Sequence, residues 1–283
     1  MCYNTKCLVG LQEDSKGIGM RDSKAHVPKK HFGQNFLHDV SVLDTIVQSI
    51  PHAHDCRIVE VGAGLGDLTN RLLDCGRILA FEIDRDLQAH LSQKFDRELQ
   101  KGSLEFVFGD VLEFWQGENL LDSAYMLVSN LPYYIATAIV VRALHDCLCK
   151  AMVVMVQKEV AQKFCAVSGN SALSVLAQSV GECMWVCDVS ASAFRPATKV
   201  DSAVFKIVRK SEIPPRLENL LQAAFAAPRK TLHNNLAKSY SKNLIAHAFE
   251  TLGLAANVRP HELNTPQYHQ LHRILEKGET NGE

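Results

Sequence analysis

Apolar residues fall along this chain in short, near-continuous runs separated by amphipathic stretches. Runs at 57–61, 78–83, 104–108, 124–129, 151–156, 184–189 and 202–208 contain few polar positions and read as buried strands. Between most of them, at 66–75, 86–97, 135–147, 158–166 and 171–180, apolar residues return at helical spacing. An earlier helix is expected over 40–50, with Val42, Leu43, Ile46 and Val47 on one face. Strands buried on both faces and alternating with helices predict an α/β fold, a doubly wound, mostly parallel seven-stranded sheet. The connection from Ser192 to Thr198 holds no helix, so one of the last two strands should run antiparallel. Pro214-Pro215 then breaks the pattern, and helical spacing over 216–227, 230–240, 243–253 and 266–276 predicts a small C-terminal all-α domain. The expected division is 1–26, 27–210 and 211–283. The first segment, low in periodicity, reads as a flexible extension or as a start placed too early, given Met20.

Composition narrows the class. At 283 residues and 47% hydrophobic the chain can bury a large core. No apolar run approaches the ~18 residues that span a bilayer, and no basic-then-apolar leader is visible, so no membrane role is expected. Nine cysteines lie scattered without a Cys-x-x-Cys pair, which reads as reduced thiols in a cytoplasmic protein. His52-x-His54 and His269-x-x-His272 lack further ligands at metal spacing, so no metal is expected. The net charge of −1 conceals an asymmetry. Residues 55–125 hold seven Lys/Arg against fourteen Asp/Glu, and 195–245 hold ten against three. An acidic part suits a cationic or neutral cofactor, and a basic part suits a polyanion.

Chemistry-bearing residues cluster at strand ends. Glu60-Val61-Gly62-Ala63-Gly64-Leu65-Gly66 leaves the first strand and opens a helix. Gly62 and Gly64 let the backbone approach a ligand, and the helix start offers N–H donors. The dinucleotide fingerprint needs glycine where Asp67 stands, which weakens a dehydrogenase reading. An acid before the glycines disfavours a diphosphate and suits a sulfonium with an amino group. S-adenosylmethionine fits. Glu82 ends the second strand at ribose-binding spacing, with Asp84 as competitor, and Asp110 after the third strand could accept from the cofactor's adenine. At the fourth strand end, Asn130-Leu131-Pro132-Tyr133 combines a side-chain acceptor, exposable carbonyls beside a proline, and a flat ring. Two acceptors and a stacking face suit the exocyclic amino group of a planar base.

With these strand ends in place, the sequence resembles the ribosomal RNA adenine dimethyltransferases. The resemblance runs from about Lys29 through the C-terminal region. It rests on Phe32-Gly33-Gln34-Asn35-Phe36-Leu37, Glu60-Val61-Gly62-Ala63-Gly64, Glu82-Ile83-Asp84, Gly109-Asp110 and Asn130-Leu131-Pro132-Tyr133. Gln157-Lys158-Glu159-Val160, Leu173-Ser174-Val175, Phe194-x-Pro196, Lys199-Val200-Asp201-Ser202-Ala203-Val204 and Arg229-Lys230-Thr231-Leu232 extend it. The last two stretches look more like the bacterial small-subunit type than the antibiotic-resistance type acting on the large subunit. The resemblance implies that Asn35 and Leu37 close over S-adenosylmethionine, which Gly62, Glu82, Asp110 and Asn130 also contact. It implies that residues 130–133 read the target base and that Phe194 lies near it. The implied substrate is a pair of adjacent adenines near the 3′ end of small-subunit ribosomal RNA, each receiving two methyls. The expected partner is that RNA or the immature small subunit, and the expected state is a monomer. Lys29, Lys30, Arg195, Lys199, Arg229 and Lys230 are the expected phosphate contacts. Tyr134, Ala63, Ala197-Thr198 and Asn170-Ser171-Ala172 depart from common family residues, which bears on loop rigidity and rate. From the residues alone, a non-catalytic nucleic-acid protein on this fold and a methylase of another nucleic acid stay as alternatives.

Overall fold

A computed structural model describes residues 35–52, 56–167 and 170–280. The expected contacts Lys29 and Lys30, the 1–26 segment, Phe32-Gly33-Gln34 and His54 lie outside these residues. The chain opens with β1 (Phe36–Leu37) and α1 (Val40–Gln48). Asp39 caps α1 by accepting from the Ser41 and Val42 amides, and Leu43 and Ile46 turn inward. Alternation follows through β2 (Arg57–Val61), α2 (Asp67–Leu72), β3 (Ile78–Glu82), α3 (Gln88–Lys94), α4 (Asp96–Lys101), β4 (Leu104–Phe108) and α5 (Val111–Phe114). Then come β5 (Tyr125–Asn130), α6 (Ala136–His145), β6 (Cys149–Gln157), α7 (Lys158–Cys165), α8 (Ala172–Val180) and β7 (Cys183–Val189). β8 (Phe194–Arg195) and β9 (Ser202–Val208) close the sheet region.

Among the described residues the main sheet has seven strands in the order β4-β3-β2-β5-β6-β9-β7. Strands β2 to β6 pair in parallel, while β9 is antiparallel to both β6 and β7. The expected antiparallel strand is therefore β9, inserted between β6 and the edge strand β7. Successive strand residues face opposite sides. Ile58, Met126 and Val153 join one apolar cluster with Leu43 and Ile46 of α1 and Leu72 of α2. Val59, Leu127 and Val154 join the other with α6 and α8. Trp115 is fully buried, whereas Trp185 sits on edge strand β7 with partial exposure.

Two expectations change. The helix expected over 86–97 is a 3-10 turn at Arg85–Leu87 followed by α3 and α4. The break falls at Phe95, whose backbone leaves helical angles and whose buried ring packs beneath Gly66. The cysteines were expected to be free thiols throughout. Instead the end of α7 and the start of β7 bring Cys165 and Cys183 together, Cα atoms 5.1 Å apart, as a disulfide.

Past the paired prolines lie α9 (Leu217–Phe225), α10 (Leu232–Leu236), α11 (Lys242–Leu252) and α12 (Thr265–Thr280). Ser241 and Thr231 cap α11 and α10 with their hydroxyls. Leu220, Leu236, Phe249 and Leu271 from these helices continue the cluster that covers the α6–α8 face of the sheet. Asn170 adds a polar tie, its buried amide donating to the Leu263 carbonyl at 2.8 Å. Among the described residues no helix is long and apolar enough to cross a membrane.

Candidate active site

Parallel strands end together, so loops after β2, β3, β4 and β5 surround one cleft at their carboxyl ends. The loop after β2 turns through Gly62, Gly64 and Gly66, all in the left-handed region at φ 82°, 58° and 78°. The Gly62 amide is held by the Phe81 carbonyl at 2.8 Å. A Cβ on Gly62 would lie 3.2 Å from Pro132 Cγ, and one on Gly64 would lie 3.1 Å from the Phe36 ring. The glycine loop is thus sandwiched between the Asn130–Tyr133 segment and the β1 strap.

Glu82 ends β3 with 4% exposure. One carboxylate oxygen accepts from the Gly64 amide at 2.8 Å and the other from the Asp84 amide at 2.9 Å. Burial raises the Glu82 carboxyl, and these two amides oppose the rise. Asp84 is buried and caps the turn at Arg85–Leu87. Glu82 lines the cleft and Asp84 does not, which favours Glu82 as the ribose acceptor. Asp110 caps α5 through the Leu112 amide and lines a smaller adjoining slot with Ile83, Pro132 and Tyr134. Tyr134 is 56% exposed and bridges cleft and slot. Burial and the nearby Asp110 and Glu82 carboxylates hold its hydroxyl above the usual tyrosine range.

β1 pairs with β8, placing Leu37 opposite Phe194 and Phe36 opposite Arg195. This ribbon brings Asn35, Leu37 and Phe194 to the same cleft wall. Phe194 is 2% exposed, so it is a packed wall of the cleft rather than an open face. Arg195 leaves that wall exposed to solvent, as does Lys199 in the following loop. Arg229 and Lys230 are exposed just before α10. None of these four forms an ion pair with a described residue.

At the end of β5, Asn130 pairs with Met155, and the Leu131 amide donates to the Met155 carbonyl at 3.0 Å. Among the described residues the Asn130 carboxamide takes no protein partner, and no backbone hydrogen bond ends on the Leu131 carbonyl. Both acceptors stay available beside Tyr133, whose hydroxyl shares a 2.6 Å hydrogen bond with Ser202.

Glu60 was read from sequence only as an acid preceding the glycines. It is 1% exposed, lines the cleft and accepts from the Thr69 hydroxyl at 2.6 Å. Burial pushes its carboxyl up to about 8, so it carries a proton at neutral pH. Nothing in the sequence signals this, because the cause is desolvation by packed neighbours. Ser202 was also missed as a site residue, although it lies within the Lys199–Val204 stretch. Among the described residues lining the cleft, Glu60, Asp67 and Glu82 are acidic and none is Lys, Arg or His. With Glu60 protonated, Asp67 and Glu82 remain as carboxylates and no cationic side chain faces them, a lining that suits a sulfonium and ammonium better than a diphosphate.

The family model described as "Ribosomal RNA adenine dimethylase" matches residues 25–277. A "Ribosomal RNA small subunit methyltransferase A" of Sulfurimonas denitrificans is 49% identical over 252 residues, covering 88% of this chain and 94% of that protein. One of the same name from Helicobacter hepaticus is 43% identical over 265 residues, covering 90% and 93%. The solved dimethyladenosine transferase from Plasmodium falciparum superposes with a TM-score of 0.72 at 25% identity, covering 86% of this chain and 98% of that one. The 23S rRNA methyltransferase ErmE gives 0.70 at 25% identity, covering 86% and 100%. A match across almost the whole described chain, on a sheet whose strand ends carry the glycine loop and the Asn-Leu-Pro-Tyr acceptors, shows that the chain belongs to the ribosomal RNA adenine dimethylase family.

Proposed function

We propose that this protein transfers methyl groups from S-adenosylmethionine to the exocyclic amino groups of two adjacent adenines near the 3′ end of small-subunit ribosomal RNA. The supporting observation is the pair of available acceptors, Asn130 and the Leu131 carbonyl, beside the Tyr133 ring and next to an acidic cleft. The small-subunit assignment follows the relatives at 43–49% identity named for that substrate. On this reading the protein acts in the cytoplasm on immature subunits, as a monomer.

When bound, S-adenosylmethionine supplies an electrophilic methyl on a cationic sulfur. Glu82 would hold its ribose hydroxyls, Asp110 its base, and the Gly62–Gly64 backbone its amino-acid end, with Asn35 and Leu37 closing the wall. An adenine amino group is hidden in a paired stack, so the target must be unpaired or flipped out. Tyr133 then stacks on it, a contact worth ~1–3 kcal/mol per base. Asn130 and the Leu131 carbonyl accept the two amino hydrogens. That would draw the nitrogen toward tetrahedral geometry and free its lone pair to take the methyl, the methyl–sulfur bond breaking as the new bond forms and the displaced amino proton passing to solvent. Positioning and electrostatics carry the reaction, with no strong base required. Arg195, Lys199, Arg229 and Lys230, with Lys29 and Lys30, would hold the phosphate backbone.

The test is transfer of labelled methyl to unmethylated small ribosomal subunits, with mass analysis of digested nucleosides. Dimethyladenosine at two adjacent positions is the expected product. Cofactor binding without transfer would move the assignment to another RNA. Neither binding nor transfer would favour a non-catalytic role.

A further inference from the structure

Ser202 begins β9 and is fully buried. Its backbone is fixed from both sides, paired with Gln157 of β6 and Val189 of β7. Its hydroxyl meets the Tyr133 hydroxyl at 2.6 Å. The loop leading to it is also braced. The Asp201 carboxylate accepts from the Ala191 amide at 3.0 Å, and the Lys158 amide donates to the Asp201 carbonyl at 3.0 Å. The half-buried Tyr133 ring is therefore tethered at its far end to an interior strand, while its near end follows the Asn130-Leu131-Pro132 turn.

Resting on the function proposed above, we propose that Ser202 is a positioning residue that holds the Tyr133 ring, and that this hold matters more for the second methyl than for the first. An unmodified adenine offers two amino hydrogens, one each for Asn130 and the Leu131 carbonyl. After one transfer a single hydrogen remains, so one acceptor contact is lost. The stacked ring must then carry more of the base's placement. Without Ser202 the hydroxyl keeps only Thr198, in the loop before β9, so the ring can still stack but over a wider range of tilts.

The experiment compares Ser202→Ala, Tyr133→Phe and the double variant on unmethylated small subunits. Monomethyladenosine and dimethyladenosine are counted by mass at matched early times. Each single variant should raise the mono-to-dimethyl ratio about three- to tenfold, the span expected for one lost hydrogen bond. The double variant should go no further than Tyr133→Phe alone. Affinity for S-adenosylmethionine, read by calorimetry, should not change. Ser202→Thr, which keeps a hydroxyl, should restore the ratio. A normal ratio in a folded Ser202→Ala protein overturns the inference, as does an additive double variant. Equal loss of both products would mark a merely structural serine and overturn it too. Absence of any transfer by the unaltered protein would instead overturn the underlying function.

Discussion

The Gly64 amide donates to the Glu82 carboxylate at 2.8 Å, so the glycine loop and the end of β3 are joined. Glu82→Ala removes the expected ribose acceptor and leaves the Gly64 and Asp84 amides without theirs. Cofactor affinity should fall at least ~10-fold, since a charged hydrogen bond contributes about 1.5–3 kcal/mol. Calorimetry with S-adenosylmethionine checks this. Unchanged affinity would shift the role to Asp84.

Gly62→Ala would put a methyl 3.2 Å from Pro132 Cγ in a backbone region of φ 82°. The left-handed conformation costs an alanine about 1–2 kcal/mol, and Pro132 belongs to a rigid turn. The melting temperature should drop, and both donor binding and methyl transfer should weaken. Loss of donor binding with normal transfer at saturating donor would show that the Pro132 turn does not feel the loop.

On the proposed function, Asn130→Ala removes an acceptor for the target amino group and spares the carboxylates of the cleft. Transfer should fall about 100-fold or more, the scale seen when one preorganised transition-state contact is deleted. Calorimetry should still register the donor. Near-normal turnover would sink the role of Asn130.

Glu60 makes stability depend on pH. Its carboxyl rises from the ordinary 4.5 to about 8 in the folded chain. Between those values the folded state holds a proton that the unfolded state has released. Its contribution is full in acid and is lost as pH rises toward 8, at up to about 1.4 kcal/mol per pH unit. Glu60→Gln should lack this slope. Melting curves from pH 5 to 9 should show the native protein losing ground to the variant until about pH 8 and then running parallel. Parallel curves throughout would mean that Glu60 is ionised when buried.

Arg195, Lys199, Arg229 and Lys230 should each account for part of the salt dependence of RNA binding. Removing one should reduce the slope of log affinity against log salt by ~0.7–0.9. A slope insensitive to all four would place the RNA on another surface.

The strand ends were legible because buried parallel strands are written as uninterrupted apolar runs, and the residues that line the cleft and its slot follow them at once. Gly62, Glu82, Asp110 and Asn130 could be placed in this way. The β1–β8 ribbon could not, since two-residue strands carry no periodicity and their partners are far apart in the chain. Phe95 fits a helical stripe, so its role as a helix-ending plug under Gly66 was hidden. Ser202 looked like any strand serine. Only tertiary neighbours reveal its contact with Tyr133, just as only burial reveals the proton on Glu60.

The strap has a consequence for how the protein is made. Its two strands are Phe36–Leu37 and Phe194–Arg195, and the sheet gains its interior strand β9 only after them. A nascent chain carrying β2 to β6 already has every acid of the donor cleft, yet it lacks one wall and the tether on Tyr133. The strap and the tether are thus closed by the last strands of the sheet region, more than 150 residues after the segment they pair with began.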